Sequence, residues 1–361
     1  MMREARILQE LPRRLRAWYR RARRDLPWRR TRDPYRIWLA ETMLQQTRVA
    51  AVVPYYERFL ARFPTLAALA AAPVDEVLKL WAGLGYYARA RNFHAAAQEV
   101  MARHSGRVPK RLDALLALPG VGRYTAGAIR SIGFNLPAPV LDGNVARILA
   151  RLFAIHQDVK AAETQKRLWG LAEALVPPRH ARDFNQAMME LGAVVCVPRS
   201  PACGECPVAD LCEARRLGEQ RRLPRKPKRK AVPHYDVGLG VVWRRGRVLI
   251  ARRHDNALLG GLWEFPGGKR EGEEPLAETV RREVKEEAGL DVAVAEHLMT
   301  YGHAYSHFRV TLHVFACRST RGRPRPLGCA ACRWVRVDEL GDYAFPAGSR
   351  KIIQALREGA R

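Results

Sequence analysis

Apolar positions recur at helical spacing through the first part of the chain. Residues 37–63, "IWLAETMLQQTRVAAVVPYYERFLARF", and 126–134, "AGAIRSIGF", repeat them every three or four residues with few strand signals. Short Pro and Gly punctuation separates such runs, as in "FPTL", "LPGVG", "LPAPVLDG" and "VPPRHARD". The pattern predicts an all-helical domain over 1–218. "RRLPRKPKRKAVP" (221–233) then has seven basic residues, three prolines and no acid. It cannot form a core, so 219–233 reads as a linker, either a solvated tether or a track for phosphates. Beyond it the period changes. "YDVGLGVVWRRGRVLIARR" alternates around a turn at Arg245-Gly246, and "FRVTLHVFAC" and "CRWVRV" are further strands. "LAETVRREVKEEAGL" between them reads as one amphipathic helix. Residues 234–361 therefore form a second domain, mixed α and β.

Charge narrows the class. The 361 residues carry 63 Lys and Arg against 36 Asp and Glu, a net +27. Such a field attracts a polyanion, nucleic acid before membrane. No apolar run is long enough to span a bilayer and no signal peptide is evident. A cytoplasmic monomer associated with the nucleoid through DNA is expected. Four of the seven cysteines, Cys196, Cys203, Cys206 and Cys212, crowd one segment. An odd count without a secretory signal argues against a disulfide framework. Four thiols so close point to a metal, with zinc and an iron–sulfur cluster both open.

"RLDALLALPGVGRYTAGAIRSIGF" (111–134) reads as helix, turn, helix, with the hairpin over 112–134 and Gly120 and Gly122 bracketing its turn. Glycines there allow positive φ and close approach of backbone N–H groups to a phosphate. Asp142 follows, just before a helical run. It reads as an N-cap, and capping bonds would keep it ionised and able to oppose a cationic sugar. Glu41 lies in "IWLAETMLQQT", the only charge between Arg36 and Arg48. An apolar setting would raise its pKa and suit it to donate a proton. One ionised and one protonated carboxylate is the logic of glycosidic cleavage.

"DLPWRRTRDPYRIWLAETMLQQT", "GLGYYARARN", "LPGVGRYTAGAI", "LDGNVARIL", "FNQAMMELGA" and the Cys-x6-Cys-x2-Cys-x5-Cys array together resemble the endonuclease III superfamily of DNA glycosylases, most closely its MutY-type adenine glycosylases. The resemblance implies a helix-hairpin-helix fold, a 4Fe–4S cluster on the four cysteines, and excision of adenine opposite 8-oxoguanine or guanine in duplex DNA. Glu41 would protonate the adenine and Asp142 stabilise the sugar cation, with Tyr124 and Asn144 in support. Trp28, Arg29 and Gln186 would line the pocket for the flipped base, and Gln46 and Tyr86 would wedge near its partner. Alone, Trp28 and Tyr86 read equally as core aromatics and Gln46 as a surface amide. Bifunctional relatives carry a lysine where this chain has Tyr124, which implies an enzyme that leaves an abasic site without cutting the strand.

Gly268, Glu274, Arg282, Glu283, Glu286, Glu287 and Gly289 fill every fixed place of G-x5-E-x7-R-E-U-x-E-E-x-G-U, with Val284 and Leu290 as the aliphatic residues. On a helix Glu283, Glu286 and Glu287 share one face and could hold Mg2+ with a diphosphate. This is the Nudix box, and 234–361 resembles MutT-like domains. In adenine glycosylases such a domain reads 8-oxoguanine through a Phe-Ser-His loop, matched here by Tyr305, Ser306 and His307, and its box is usually degraded. Here the box is intact, so hydrolysis of free 8-oxo-dGTP is the alternative expectation. Cys329-x2-Cys332 is open to redox or metal chemistry, but beside a strand it reads first as a pair of buried thiols.

Overall fold

The computed structural model describes residues 2–225, 227, 231–305 and 307–359. Two compact units emerge: Met1–Ala71 with Ala95–Arg229, and Ala72–His94 with Lys230–Arg361.

In chain order the helices are α1 (Met2–Ala22), α2 (Pro34–Leu44), α3 (Val49–Arg62), α4 (Leu66–Ala71), α5 (Val74–Trp81), α6 (Ala88–Arg103), α7 (Leu112–Leu116), α8 (Arg123–Ala128), α9 (Gly143–Leu152), α10 (Ala162–Leu175), α11 (Ala181–Val194) and α12 (Glu213–Arg216). The Arg-rich start is a core element of the first unit. Ile7, Leu11, Leu15 and Tyr19, four residues apart, are buried on one stripe of α1 while Arg6, Arg13, Arg20 and Arg21 are exposed. α2 is different, because it is buried on nearly every side beyond Arg36. Residues 37–43 are all buried, and Asp33 caps the helix by accepting from Tyr35 N–H at 2.9 Å. A carboxylate placed on such a helix has to enter the core. α9 and α11 cross at Gly192, where a Cβ would stand 2.6 Å from the Asn144 Cβ. Among the described residues no helix is long and apolar enough to cross a membrane.

The second unit holds one seven-stranded sheet. Its strands are β1 (His234–Arg244), β2 (Arg247–Arg252), β3 (Trp263–Glu264), β4 (Gly267–Lys269), β5 (Asp291–Ala304), β6 (Arg309–Arg321) and β7 (Ala331–Val335). β1 pairs parallel with β6 and antiparallel with β2 and β4, and β5 closes one edge against β6. The β1–β2 turn has Arg245 and Gly246 both at positive φ (50° and 72°), the geometry that suits the twist of a tight hairpin. α13 (Leu276–Ala288) buries Val280 and Val284 on one face of the sheet, and α14 (Arg350–Gly359) buries Ile352 on the other. Residues 72–94 join this unit through polar contacts. Arg252 meets Asp75 at 3.3 Å, Lys79 meets Asp342 at 3.2 Å, and Arg350 donates to Ala82 O at 2.9 Å.

Candidate active site

A cleft of about 950 Å³ opens in the helical unit, and its lining includes Trp28, Arg29, Glu41, Gln46, Gly120, Gly122, Tyr124, Asp142, Asn144 and Gln186. Ten residues singled out along 159 positions of chain thus meet in one place. Glu41 comes from the middle of α2, Tyr124 from the start of α8 after the hairpin turn, and Asp142 with Asn144 from the start of α9.

Glu41 is 4% exposed. Burial raises its carboxyl to about 7 and the nearby Asp142 charge pushes the same way, while the Tyr124 hydroxyl and the Arg29 charge pull it down. Tyr124 Oη donates to Glu41 Oε2 at 2.6 Å, a charge-assisted bond. Burial and the two carboxylates in turn hold the Tyr124 phenol well above its ordinary range, so it stays a donor.

Asp142 caps α9, accepting from Asn144 N–H at 3.0 Å, Val145 N–H at 2.7 Å and the Asn144 side-chain amide at 3.0 Å. The carboxyl nonetheless lies above its ordinary value. Burial raises it, and the capping bonds with the Arg147 charge offset only part of that. The hairpin glycines also divide the work. Gly120 has φ 71°, whereas Gly122 is extended, caps α8 and has open space where a Cβ would point.

Trp28 is buried, edge-on to Tyr56 at 5.4 Å. Gln186 accepts from Tyr19 Oη at 3.1 Å. Arg29 donates to Glu190 Oε2 at 2.6 Å and to Arg24 O at 3.0 Å, and Arg24 itself forks onto Glu190. Glu190 is fully buried, yet the two guanidinium groups overcome burial and lower it to about 2. Glu190 escaped the sequence reading. Its signal was the one that exposed Glu41, a lone acid in an apolar helical run. Gln46 (φ 57°) is exposed and Tyr86 (φ 51°) half-buried, both in the left-handed region that non-glycine residues rarely adopt. Tyr86 belongs to the 72–94 segment, with Arg89 over its ring at 5.4 Å.

The cysteine segment packs against the helical core through Cys196, Cys206 and Cys212. All four thiols are half-buried. Burial, aided by the charges of Cys196, Cys212 and Cys203, pushes Cys206 up to about 12. Such a set needs positive charge to ionise, which an iron–sulfur cluster supplies when bound. Among the described residues no three His, Cys, Asp or Glu side chains could hold a single metal ion. Two buried arginines of α9 grip this segment. Arg147 donates to Cys196 O at 2.7 Å and to Asn144 Oδ1 at 2.8 Å, and Arg151 donates to Cys196 Sγ at 3.2 Å and Val197 O at 2.8 Å. The helix that begins at Asp142 is thereby tied along its side to the thiol segment.

In the second unit the box glutamates gather around a cation of their own. Arg282 meets Glu274 at 2.9 Å, Glu283 at 3.0 Å and Glu286 at 3.2 Å. Glu283 also packs against Gly268, where a Cβ would fall 2.1 Å from its Oε1. Burial, with the Glu264 charge, pushes Glu287 up to about 8, against one bond from Gly267 N–H at 3.2 Å. The three glutamates expected to hold Mg2+ therefore sit in three different environments. Tyr305 stacks on Phe308 at 4.7 Å across the β5–β6 turn, and His307 is exposed. Ser306 lies outside the described residues.

Comparisons with known proteins match separate stretches of the chain. A family profile described as HhH-GPD superfamily base excision DNA repair protein matches residues 39–174. The iron-sulfur binding domain of endonuclease III matches 196–212, and a NUDIX domain matches 238–355. Human adenine DNA glycosylase is 36% identical over 397 residues, covering 94% of this chain and 73% of that protein. A solved thermostable thymine-DNA glycosylase shares 32% identity with a TM-score of 0.54, covering 59% of this chain and 98% of its own. An endonuclease III–DNA complex (24% identity, TM-score 0.51, 61% of this chain and 97% of that one) supports the helical fold.

Proposed function

Because the chain belongs to the adenine DNA glycosylase family, a group of base-excision repair enzymes, we propose that it removes adenine paired with 8-oxoguanine or guanine and leaves an intact strand. The single observation that carries this reading is the Tyr124–Glu41 pair, a buried carboxyl near neutrality with its second oxygen left for a proton.

In this mechanism the flipped adenine enters between Trp28, Arg29 and Gln186, and Gln46 and Tyr86 fill the gap in the stack. Flipping costs a few kcal/mol, which the wedge contacts offset. Protonated Glu41 gives its proton to the adenine ring as the glycosidic bond breaks. Asp142 faces the developing oxocarbenium ion, held in place by Val145 N–H and Asn144. Water then completes the hydrolysis. No lysine stands at position 124, so no Schiff base forms by that route. Gly120 and Gly122 approach the phosphate backbone. A 4Fe–4S cluster on Cys196, Cys203, Cys206 and Cys212 would hold the segment that Arg147 and Arg151 tie to α9. Tyr305, Ser306 and His307 would read the oxidised base.

Single-turnover excision from an A:8-oxoguanine duplex tests this. The expected product is an abasic strand that borohydride does not crosslink to the protein. A borohydride-trapped adduct, or excision of thymine in preference to adenine, would overturn it. If about six phosphates are neutralised, log K for duplex binding falls with log salt at a slope near −5.

A second reading rests on the complete box. Glu283, Glu286 and Glu287 would bind Mg2+ and hydrolyse 8-oxo-dGTP once Arg282 yields its partners to the metal. Magnesium-dependent pyrophosphate release, lost in Glu286→Gln, supports it. Absence of release alongside normal excision removes it.

A further inference from the structure

Cys329 and Cys332 belong to neither carboxylate group nor to the iron–sulfur segment. Their Sγ atoms stand 3.3 Å apart where the chain enters β7. Cys329 is 5% exposed, and Cys332 is the more accessible. The Cys329 thiol also donates to Glu287 O at 3.3 Å, on the last turn of α13. That carbonyl accepts from Leu327 N–H at 3.0 Å and Gly328 N–H at 3.2 Å, and Arg325 N–H reaches Ala288 O at 2.9 Å. Residues 325–329 are thus a strap over the end of the box helix, while Cys332 is anchored in the sheet opposite Ala251 of β2. Among the described residues no third ligand completes a metal site with the pair. The sulfurs thus lie little more than an ångström beyond the bonding distance of about 2.05 Å.

We propose that Cys329 and Cys332 form a reversible disulfide that clips the strap on the box helix to β7. The oxidant class is a low-molecular-weight disulfide, with glutathione disulfide as the probe. Cys332, as thiolate, attacks one glutathione sulfur, and the first glutathione leaves as its thiolate. Cys329 then loses its proton and attacks the Cys332 sulfur, and the second glutathione leaves. Two electrons pass to glutathione, and the two thiol protons end on its two thiols. Closure withdraws the Cys329 S–H from Glu287 O but leaves the backbone N–H bonds of the strap. None of this depends on which reaction either unit catalyses.

The test uses the full chain with its iron–sulfur centre, incubated with glutathione disulfide, alkylated and digested with trypsin. The fragment 322–333 holds both cysteines, because its internal arginines precede proline. Near-complete loss of alkylation is expected, with the fragment lighter by two hydrogens. Cys329→Ser should stall as a glutathione adduct on Cys332, and Cys332→Ser should leave Cys329 free of adduct. Hydrogen exchange over 284–291 should differ between reduced and oxidised wild type and be unchanged in Cys332→Ser. Full alkylation of both thiols after incubation, or an adduct on Cys329, overturns the disulfide. Oxidation without a change in exchange overturns the clip.

Discussion

The helical unit and the sheet unit each carry carboxylates at motif spacing, and Glu41 and Glu274 are treated in opposite ways. Glu41 is sealed into an apolar helix with a phenol as its hydrogen-bond partner, and its proton is held to about neutrality. Glu274, Glu283 and Glu286 close around Arg282, and Glu274 falls to about 2 through that guanidinium and a backbone N–H. Position in a motif states which acids are available. Burial and the neighbouring cation compete to set whether an acid can give up a proton, and at Glu283, beside the same Arg282, burial prevails. Glu190 makes the same point inside the helical unit, since it is as buried as Glu41 yet lies at the other end of the scale because Arg24 and Arg29 hold it.

The largest expected effect separates the two units directly. Glu41→Gln should slow adenine excision by about 10²–10⁴-fold, the usual worth of a general acid. Glu286→Gln should leave the excision rate unchanged. Equal losses in both variants would erase the contrast.

Stability gives the next test, with opposite signs for the two buried glutamates. Glu190 has its native pKa lowered, so it stabilises the fold above its ordinary value, and this is lost as pH falls from 4.5 towards 2. Glu190→Gln leaves two guanidinium groups without their partner and should cost about 3–5 kcal/mol in denaturant unfolding at pH 7. Glu41 has its native pKa raised, so the native state binds its proton more tightly than the unfolded chain. Its contribution therefore declines as pH rises from 4.5 to about 7 and stays low above. Glu41→Gln should gain about 1–3 kcal/mol at pH 8, a more stable but inactive protein. Destabilisation by that substitution would mean that Glu41 has a cation partner in solution.

The smallest effect belongs to the box. Arg282→Ala frees three glutamates that are partly open to solvent, and should change stability by about 1 kcal/mol or less. A larger loss in thermal unfolding would show that Arg282 is a structural anchor of the sheet unit.

Much of this was legible in the chain. The hairpin turn at Arg245-Gly246 and the helical period of 276–290 follow from local pattern, whereas cleft residues such as Trp28, Arg29, Gln46 and Gln186 follow only from the family resemblance. Other parts lie in partners brought together across the fold. Arg147 and Arg151 look like surface charges on α9 until the thiol segment folds over them. The arginines of α1 hide the stripe of Ile7, Leu11, Leu15 and Tyr19 that makes it a core helix. β5 ("DVAVAEHLMTYGHA") has a broken alternation, with register shifts at Val292, His297 and Met299, so it did not announce itself as a strand. Burial of Asp142 also outweighs the capping bonds that its sequence position foretold.

The central claim is that Glu41 donates the proton and Tyr124 tunes it. The most direct measurement is the pH dependence of single-turnover adenine excision at saturating enzyme, for wild type and Tyr124→Phe. The rate should fall as pH rises through about 7, where Glu41 loses its proton. Removing the phenol removes the bond that lowers Glu41, so the falling limb should move to higher pH in Tyr124→Phe. A rate that stays flat through neutrality, or a limb that moves to lower pH in the variant, would contradict the account.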